Sequence, residues 1–313
     1  MELPFSSLLI TKPHYLTITL TTVTAQTDYT LIDPNTGNLA FKIFEFDGDR
    51  YFQLQRTYNY YSILLIQEGS GKLTADFSEY TFEAGTLMCF AIYQPFVLKA
   101  DGPLKGILIN FHPDFFCIHK HQHEVSCNGI LFNNIFNPPT LLLQQAEAQS
   151  LIAIIDTLKT EMQKTGLAQY EMLVSYLKIF LINATRFKVE SQNVKEITAG
   201  DEPFILKTLK DTIEEHYRKM HAPGDYADML NISTRALNKL SKTHFKRTLT
   251  NLISERLIIE AKRELYLTSK SVKTIAYELG FQDEFYFSRF FKHNAEVSPN
   301  VYRSTVGFAR AEV

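Results

Sequence analysis

Two stretches about fifty residues apart place the same residue types at the same spacing. Ala227-x-x-Leu230-Asn231-Ile232 and Ala276-x-x-Leu279-Gly280-Phe281 are each followed by a basic amphipathic segment. With one residue inserted in the second copy, Leu237-Asn238-Lys239-Leu240 then corresponds to Phe287-Ser288-Arg289-Phe290, Lys242 to Lys292 and Thr248 to Ser298. A repeat of this length indicates two copies of one supersecondary unit, a helix-turn-helix. The chemistry such units offer is hydrogen bonding to a duplex: Arg pairs with guanine, Asn or Gln with adenine, and Glu accepts from cytosine. By position, base contact falls to Thr234, Arg235 and Asn238 in the first unit and to Gln282, Glu284, Tyr286 and Arg289 in the second. Lys239, Lys242, Lys270, Lys273, Lys292 and Arg303 are placed for phosphates, which set register and not sequence. The aromatic residues Phe285, Phe287, Phe290 and Phe291 read as core.

The elements that must hold these side chains follow from the geometry of a duplex. The second helix of each unit has to enter a major groove about 12 Å wide while the first crosses the backbone. The turn between them needs positive φ, which Gly280 adopts freely and Asn231 better than most other residues. Small Ala227 and Ala276 let the helices approach, and Leu230, Ile232, Leu279 and Phe281 fill the space between them. Ser233-Thr234 and Asp283-Glu284 favour helix starts. Between the units, Asn251 to Leu267 reads as one helix of roughly 25 Å, long enough to hold two recognition helices about one DNA turn, ~34 Å, apart.

Residues 203 to 306 resemble the DNA-binding domain of the AraC/XylS family of bacterial transcription regulators. Ile275-Ala276-Tyr277-Glu278-Leu279-Gly280-Phe281, Tyr286-Phe287-Ser288-Arg289-Phe290-Phe291-Lys292 and Val297-Ser298-Pro299-x-x-Tyr302-Arg303 match its signature, and the first unit matches more loosely. One departure recurs: Glu296 and, at the repeated position, Lys246 stand where the family commonly has glycine. Either these turns differ locally or each holds a side chain in the left-handed region at a cost of roughly 1 kcal/mol.

The first half has another character. Short β-branched or aromatic runs at Tyr15 to Val23, Leu39 to Phe46, Tyr60 to Gln67, Lys72 to Thr74, Gly85 to Phe90, Phe96 to Lys99 and Gly106 to Phe111 predict an antiparallel sandwich or barrel. This half is similar to the cupin-like jelly roll that often precedes such a DNA-binding domain, through Ile63-Leu64-Leu65-Ile66-Gln67-Glu68-Gly69-Ser70-Gly71, Gly85-Thr86-Leu87 and Ile109-Asn110-Phe111-His112-Pro113-Asp114-Phe115. Enzymatic cupins carry His-x-His and Glu in the first motif and His in the second. Here Tyr58, Asn59, Tyr60 and Tyr61 occupy the first region and Pro95-Phe96 the second, so metal-dependent oxygenase chemistry is not expected. Tyr58, Tyr60, Phe90, Tyr93 and Phe96 could line a pocket for a small-molecule effector or fill an ordinary core. If extended, Cys117, His119, His121 and His123, with Cys127 beyond, would share one side and suit zinc, but the spacing matches no known metal motif and a surface loop without metal is the favoured reading.

Apolar residues at spacings of three and four over Ala146 to Lys164 and Gln169 to Ser191 predict a helical hairpin with one broad apolar face, suited to dimerisation. The expected fold class is therefore α+β and multidomain: a cupin-like β jelly roll over 1–140, a helical hairpin over 141–192, a linker over 193–202, and an all-α domain with two helix-turn-helix motifs over 203–313. Charge follows this division. Residues 1–202 hold 14 Lys+Arg against 21 Asp+Glu, a net −7, whereas 203–313 hold 18 against 13, a net +5. The basic half suits a polyanionic partner. No apolar run approaches membrane-span length, the N-terminus lacks the basic region of a signal peptide, and three cysteines form no disulfide framework, all of which predict a cytoplasmic protein. The expected molecule is a dimeric transcription regulator, an activator, with double-stranded DNA and RNA polymerase as partners and no cofactor. The rival reading is a metal-binding or enzymatic cupin domain that the C-terminal domain targets to DNA.

Overall fold

The computed structural model describes residues 22–23, 26–33, 37, 39–53, 58–75, 78–164, 166–199 and 204–306. In the first half, strands β1 (Thr22–Val23), β2 (Gln26–Ile32), β3 (Leu39–Asp47), β9 (Lys105–Phe111), β4 (Tyr61–Glu68), β7 (Thr86–Phe90) and β10 (Thr140–Leu142) form one sheet in that spatial order. A second sheet holds β6 (Ser78–Phe82), β5 (Gly71–Ala75) and β8 (Phe96–Ala100), and neighbouring strands in both are antiparallel. Phe44, Phe46, Leu64, Ile66 and Met88 on one face of the large sheet meet Leu73, Ala75, Phe82, Phe96 and Leu98 of the small one in a single core. The opposite face of the large sheet, through Ile43, Ile63, Leu65 and Ile109, packs into the cluster that contains the helices. Burial on both faces is why Ile63-Leu64-Leu65-Ile66 runs apolar without alternation. The small sheet has one wet face, so β5 alternates buried and exposed residues. Gly69, at φ 99, turns β4 into β5, and a Cβ there would collide with the Pro103 carbonyl oxygen.

After a short helix α1 (Gln122–Val125) come α2 (Gln145–Met162) and α3 (Gln169–Ala199), the expected hairpin. Leu151, Ile155, Leu158 and Met162 of α2 and Leu173, Leu177, Phe180 and Leu181 of α3 are fully buried. The apolar face of α3 is divided, however, because Met172 and Ile179 stay exposed. Helix α3 also runs on to Ala199, through most of the stretch expected to be linker. Val194-Lys195-Glu196-Ile197-Thr198-Ala199 contains no Gly or Pro to stop it, and residues 200–203 lie outside the described ones.

The remainder is helical: α4 (Phe204–His216), α5 (Pro223–Met229), α6 (Thr234–Phe245), α7 (Leu249–Leu267), α8 (Val272–Glu278), α9 (Glu284–Ala295) and α10 (Pro299–Val306). Helix α7, 19 residues and about 28 Å long, is the central rod, and it packs against α5 and α6 as well as α8 and α9. Its Glu260, 3% exposed, is held by Arg218 at 2.6 Å, Arg263 at 2.8 Å and Arg256 at 3.4 Å. Strands β2, β6 and β10 were not foreseen, and the expected strand Tyr15 to Val23 lies mostly outside the described residues. No described helix is long and apolar enough to cross a membrane.

Candidate nucleic-acid interface

Each repeat builds the same corner. In the first, Ile232 N–H donates to the Ala227 carbonyl at 3.0 Å, and in the second Phe281 N–H donates to the Ala276 carbonyl at 2.9 Å. The turn residues take the positive φ that the sequence demanded, 51° at Asn231 and 81° at Gly280. Gly280 has a second reason to lack a side chain, since a Cβ would collide with the Arg218 carbonyl oxygen. Ser233 Oγ accepts from Ala236 N–H at the start of α6, and Asp283 accepts from Phe285 N–H and Tyr286 N–H at the start of α9. The far ends match too. Lys246 at φ 59 and Glu296 at φ 61 are both left-handed, so the turns keep the geometry that glycine would normally serve and bear the strain of a side chain.

These corners bury one face of each recognition helix and expose the other. Leu237, Ser241 and Phe245 of α6 and Phe287, Phe291 and Ala295 of α9 face the core. Thr234, Arg235, Lys239 and Lys242 are exposed on α6, and Arg235, Lys239 and Lys242 line one surface depression. On α9 and the turn before it, Gln282, Tyr286, Arg289 and Lys292 are exposed and Glu284 half-buried.

Several assignments change. Asn238 is half-buried, and its Oδ1 accepts from Leu249 N–H at 3.0 Å, so it caps the next helix. The repeat places Lys239 opposite Arg289, and both are exposed. Arg303 donates to the carbonyls of Leu265 at 3.1 Å and Lys270 at 2.6 Å, tying α10 to the loop after α7, and Lys270 itself pairs with Glu264 and Glu278. Phe285, expected in the core with Phe287, Phe290 and Phe291, is 72% exposed. It lies four residues before Arg289, so helical spacing alone puts both on one face. Tyr277, half exposed on α8, had no comparable signal.

In the β-sandwich, Phe90 and Phe96 stack at 3.8 Å between ring centroids, and Tyr58 lies against Tyr60 at 4.8 Å and Phe96 at 6.2 Å. Phe90 and Phe96 therefore fill the core between the sheets, while Tyr93 lines a cavity between the β-sandwich and the helical domain. The Cys117 to Cys127 segment is not extended but turns through α1, which scatters its side chains. Cys117 and Cys127 are buried, with burial pushing the Cys127 thiol up to about 12. His121 stacks on Phe116 and bonds to Glu124, His123 is exposed, and burial, then nearby Arg263, pulls His119 down to about 4. Among the described residues, no three His, Cys, Asp or Glu side chains converge as a metal site.

A family model described as a helix-turn-helix domain matches residues 226–305, the span of both corners and the rod between them. The C-terminal domain is an AraC-family DNA-binding domain. Over 138 residues the chain is 30% identical to the raffinose operon transcriptional regulatory protein RafR of Pediococcus pentosaceus, covering 44% of this chain and 46% of that one. It thus spans about half the length of that relative. Over 251 residues it is 23% identical to the HTH-type transcriptional activator RhaS of Yersinia pestis bv. Antiqua (strain Angola), covering 79% of this chain and 88% of that one. Among solved structures, an apo ToxT variant from Vibrio cholerae strain SCE256 is 18% identical, with a TM-score of 0.40 over 86% of this chain and 99% of that one. The exposed faces of α6 and α9 both lie within the matched span.

Proposed function

We propose that the whole chain is a dimeric, effector-responsive regulator of transcription that reads two successive major grooves with α6 and α9 of each protomer. The observation that carries this is the pair of equivalent recognition helices, capped alike, exposed on matching faces and mounted on the single rod α7. Lys239 and Arg289 read bases, with Arg235, Gln282, Glu284 and Tyr286 beside them, while Lys242, Lys273 and Lys292 hold phosphates. The exposed residues Met172 and Ile179 on α3 make this helix the dimer contact, and the β-sandwich senses and does not catalyse. The setting is the cytoplasm, with RNA polymerase as a protein partner and activation as the outcome.

Selection of bound duplexes from a random DNA library with the full-length protein tests the reading. A recovered consensus containing two boxes about 10–10.5 base pairs apart supports it. Enrichment of no sequence over the starting library would overturn it.

A further inference from the structure

The two helix-turn-helix units present different chemistry at equivalent places. With Ser233 and Asp283 capping the starts of α6 and α9, the repeat sets Arg235 opposite Phe285 and Lys239 opposite Arg289. All four side chains are exposed. The first unit therefore offers two cations one helical turn apart, whereas the second offers an aromatic ring and a guanidinium at the same spacing.

The core of the domain does not use Phe285. Its ring is 72% exposed, while Phe287 and Phe291 of the same helix are fully buried and Phe290 packs on Phe281. Tyr286 also leans on Phe281, at 5.9 Å between ring centroids, but Phe285 meets no other ring among the described residues. A phenyl ring left in water is a source of binding free energy once a partner covers it.

Its place on the helix selects that partner. Asp283 accepts from Phe285 N–H and Tyr286 N–H, so Phe285 sits in the first turn of α9, and in a helix-turn-helix the N-terminal residues of the second helix reach base edges. Arg289 follows on the same face, about 6 Å further along the axis. Of the groups that base pairs present in the major groove, the thymine C5-methyl is the apolar one. Against adenine, guanine or cytosine the ring would cover donors and acceptors that it cannot satisfy; against thymine it buries a methyl.

We propose that Phe285 is a specificity-determining residue whose ring packs on the C5-methyl of a thymine, within about two base pairs of the guanine held by Arg289. The second unit then reads a box with thymine and guanine, while Arg235 and Lys239 turn the first toward guanines. Because the two boxes differ, each protomer has one orientation on its site. The inference rests on the DNA-reading role of α9 proposed above.

Duplexes recovered by the selection described above test it, in competition binding with the full-length protein. The α9 box is the one where Arg289→Ala relaxes preference. Each thymine in it is replaced in turn by deoxyuridine, which keeps every hydrogen-bonding group and removes only the methyl. One replacement is expected to weaken the parent protein about three- to tenfold, the scale of burying a single methyl, and to leave binding by Phe285→Ala unchanged. Phe285→Arg, which gives α9 the residue of the first unit, should exchange thymine for guanine at that position in a repeated selection. The deoxyuridine series on the parent protein is independent of how either variant folds. No loss at any thymine of the box, an equal loss in Phe285→Ala, or thymine retained by Phe285→Arg overturns the assignment. A consensus whose α9 box lacks thymine would sink this inference and leave the regulator intact, whereas a library that yields no enriched sequence would sink both.

Discussion

Arg289 is exposed on α9, one turn beyond Phe285 and Tyr286, and nothing in the domain's core depends on its side chain. Arg289→Ala should therefore leave the unfolding midpoint in place while costing about 1–3 kcal/mol at a specific site and relaxing preference there, as competition binding against substituted sites would show. Lys292→Ala should instead weaken binding to every sequence and lower the salt slope by about one unit in a titration across ionic strengths. The types and positions of these residues were legible because the repeat fixes the helix and the helix fixes the face. Asn238 was not, because its residue type suits adenine and Leu249 N–H equally well, and only the fold shows that the backbone takes it. Phe285 misled for a related reason: aromatic rings usually go inward, and the spacing from Arg289 that contradicts this had to outweigh residue type.

At the scale of elements, the helix ends hold the clearest energetic test. Lys246 occupies the left-handed region at the end of α6, where its Nζ donates to the Thr243 carbonyl. Lys246→Gly should stabilise the protein by up to about 1 kcal/mol in denaturant unfolding, since relief of backbone strain offsets the loss of that exposed bond and the added freedom of the unfolded chain. Glu260 is the opposite case. It is buried on α7 among Arg218, Arg256 and Arg263, and Glu260→Gln should cost about 2–4 kcal/mol in the same measurement by removing the buried charge the three guanidinium groups share, although Arg256 keeps Glu214 and Arg263 keeps Glu264. Helices α6, α7 and α9 were readable from periodicity and capping residues. Strand β6 was not, because Ser78-Glu79-Tyr80-Thr81-Phe82 is polar enough to pass for a loop and is defined by pairing with β5. The end of α3 differs from the expected linker boundary because residues 193–199 hold no Gly or Pro, so the first helix breaker in the stretch is Gly200.

At the scale of the molecule, the β-sandwich and the AraC-type domain meet along a seam that no local pattern announces, since Asn59, Tyr93 and Thr305 find one another across more than two hundred residues. The seam also makes stability depend on pH. His119 faces a cleft shared with Glu214, Arg256, Glu260 and Arg263, and burial, with Arg263, lowers it from 6.5 to about 4. The unfolded chain takes up the proton first, so stability is full above pH 6.5 and falls as pH drops toward 4. Unfolding midpoints recorded from pH 7 to 4.5 should decline less steeply in His119→Gln than in the parent protein, and equal slopes would remove His119 from this role.

The most direct test of two grooves read by one rigid pair of helices is protection of guanine N7 from methylation on a selected duplex. The full-length protein should protect two clusters of major-groove positions per protomer, about 10–10.5 base pairs apart on one face, and Arg289→Ala should lose one cluster and keep the other. A single cluster per protomer, or loss of both clusters together in Arg289→Ala, would contradict it.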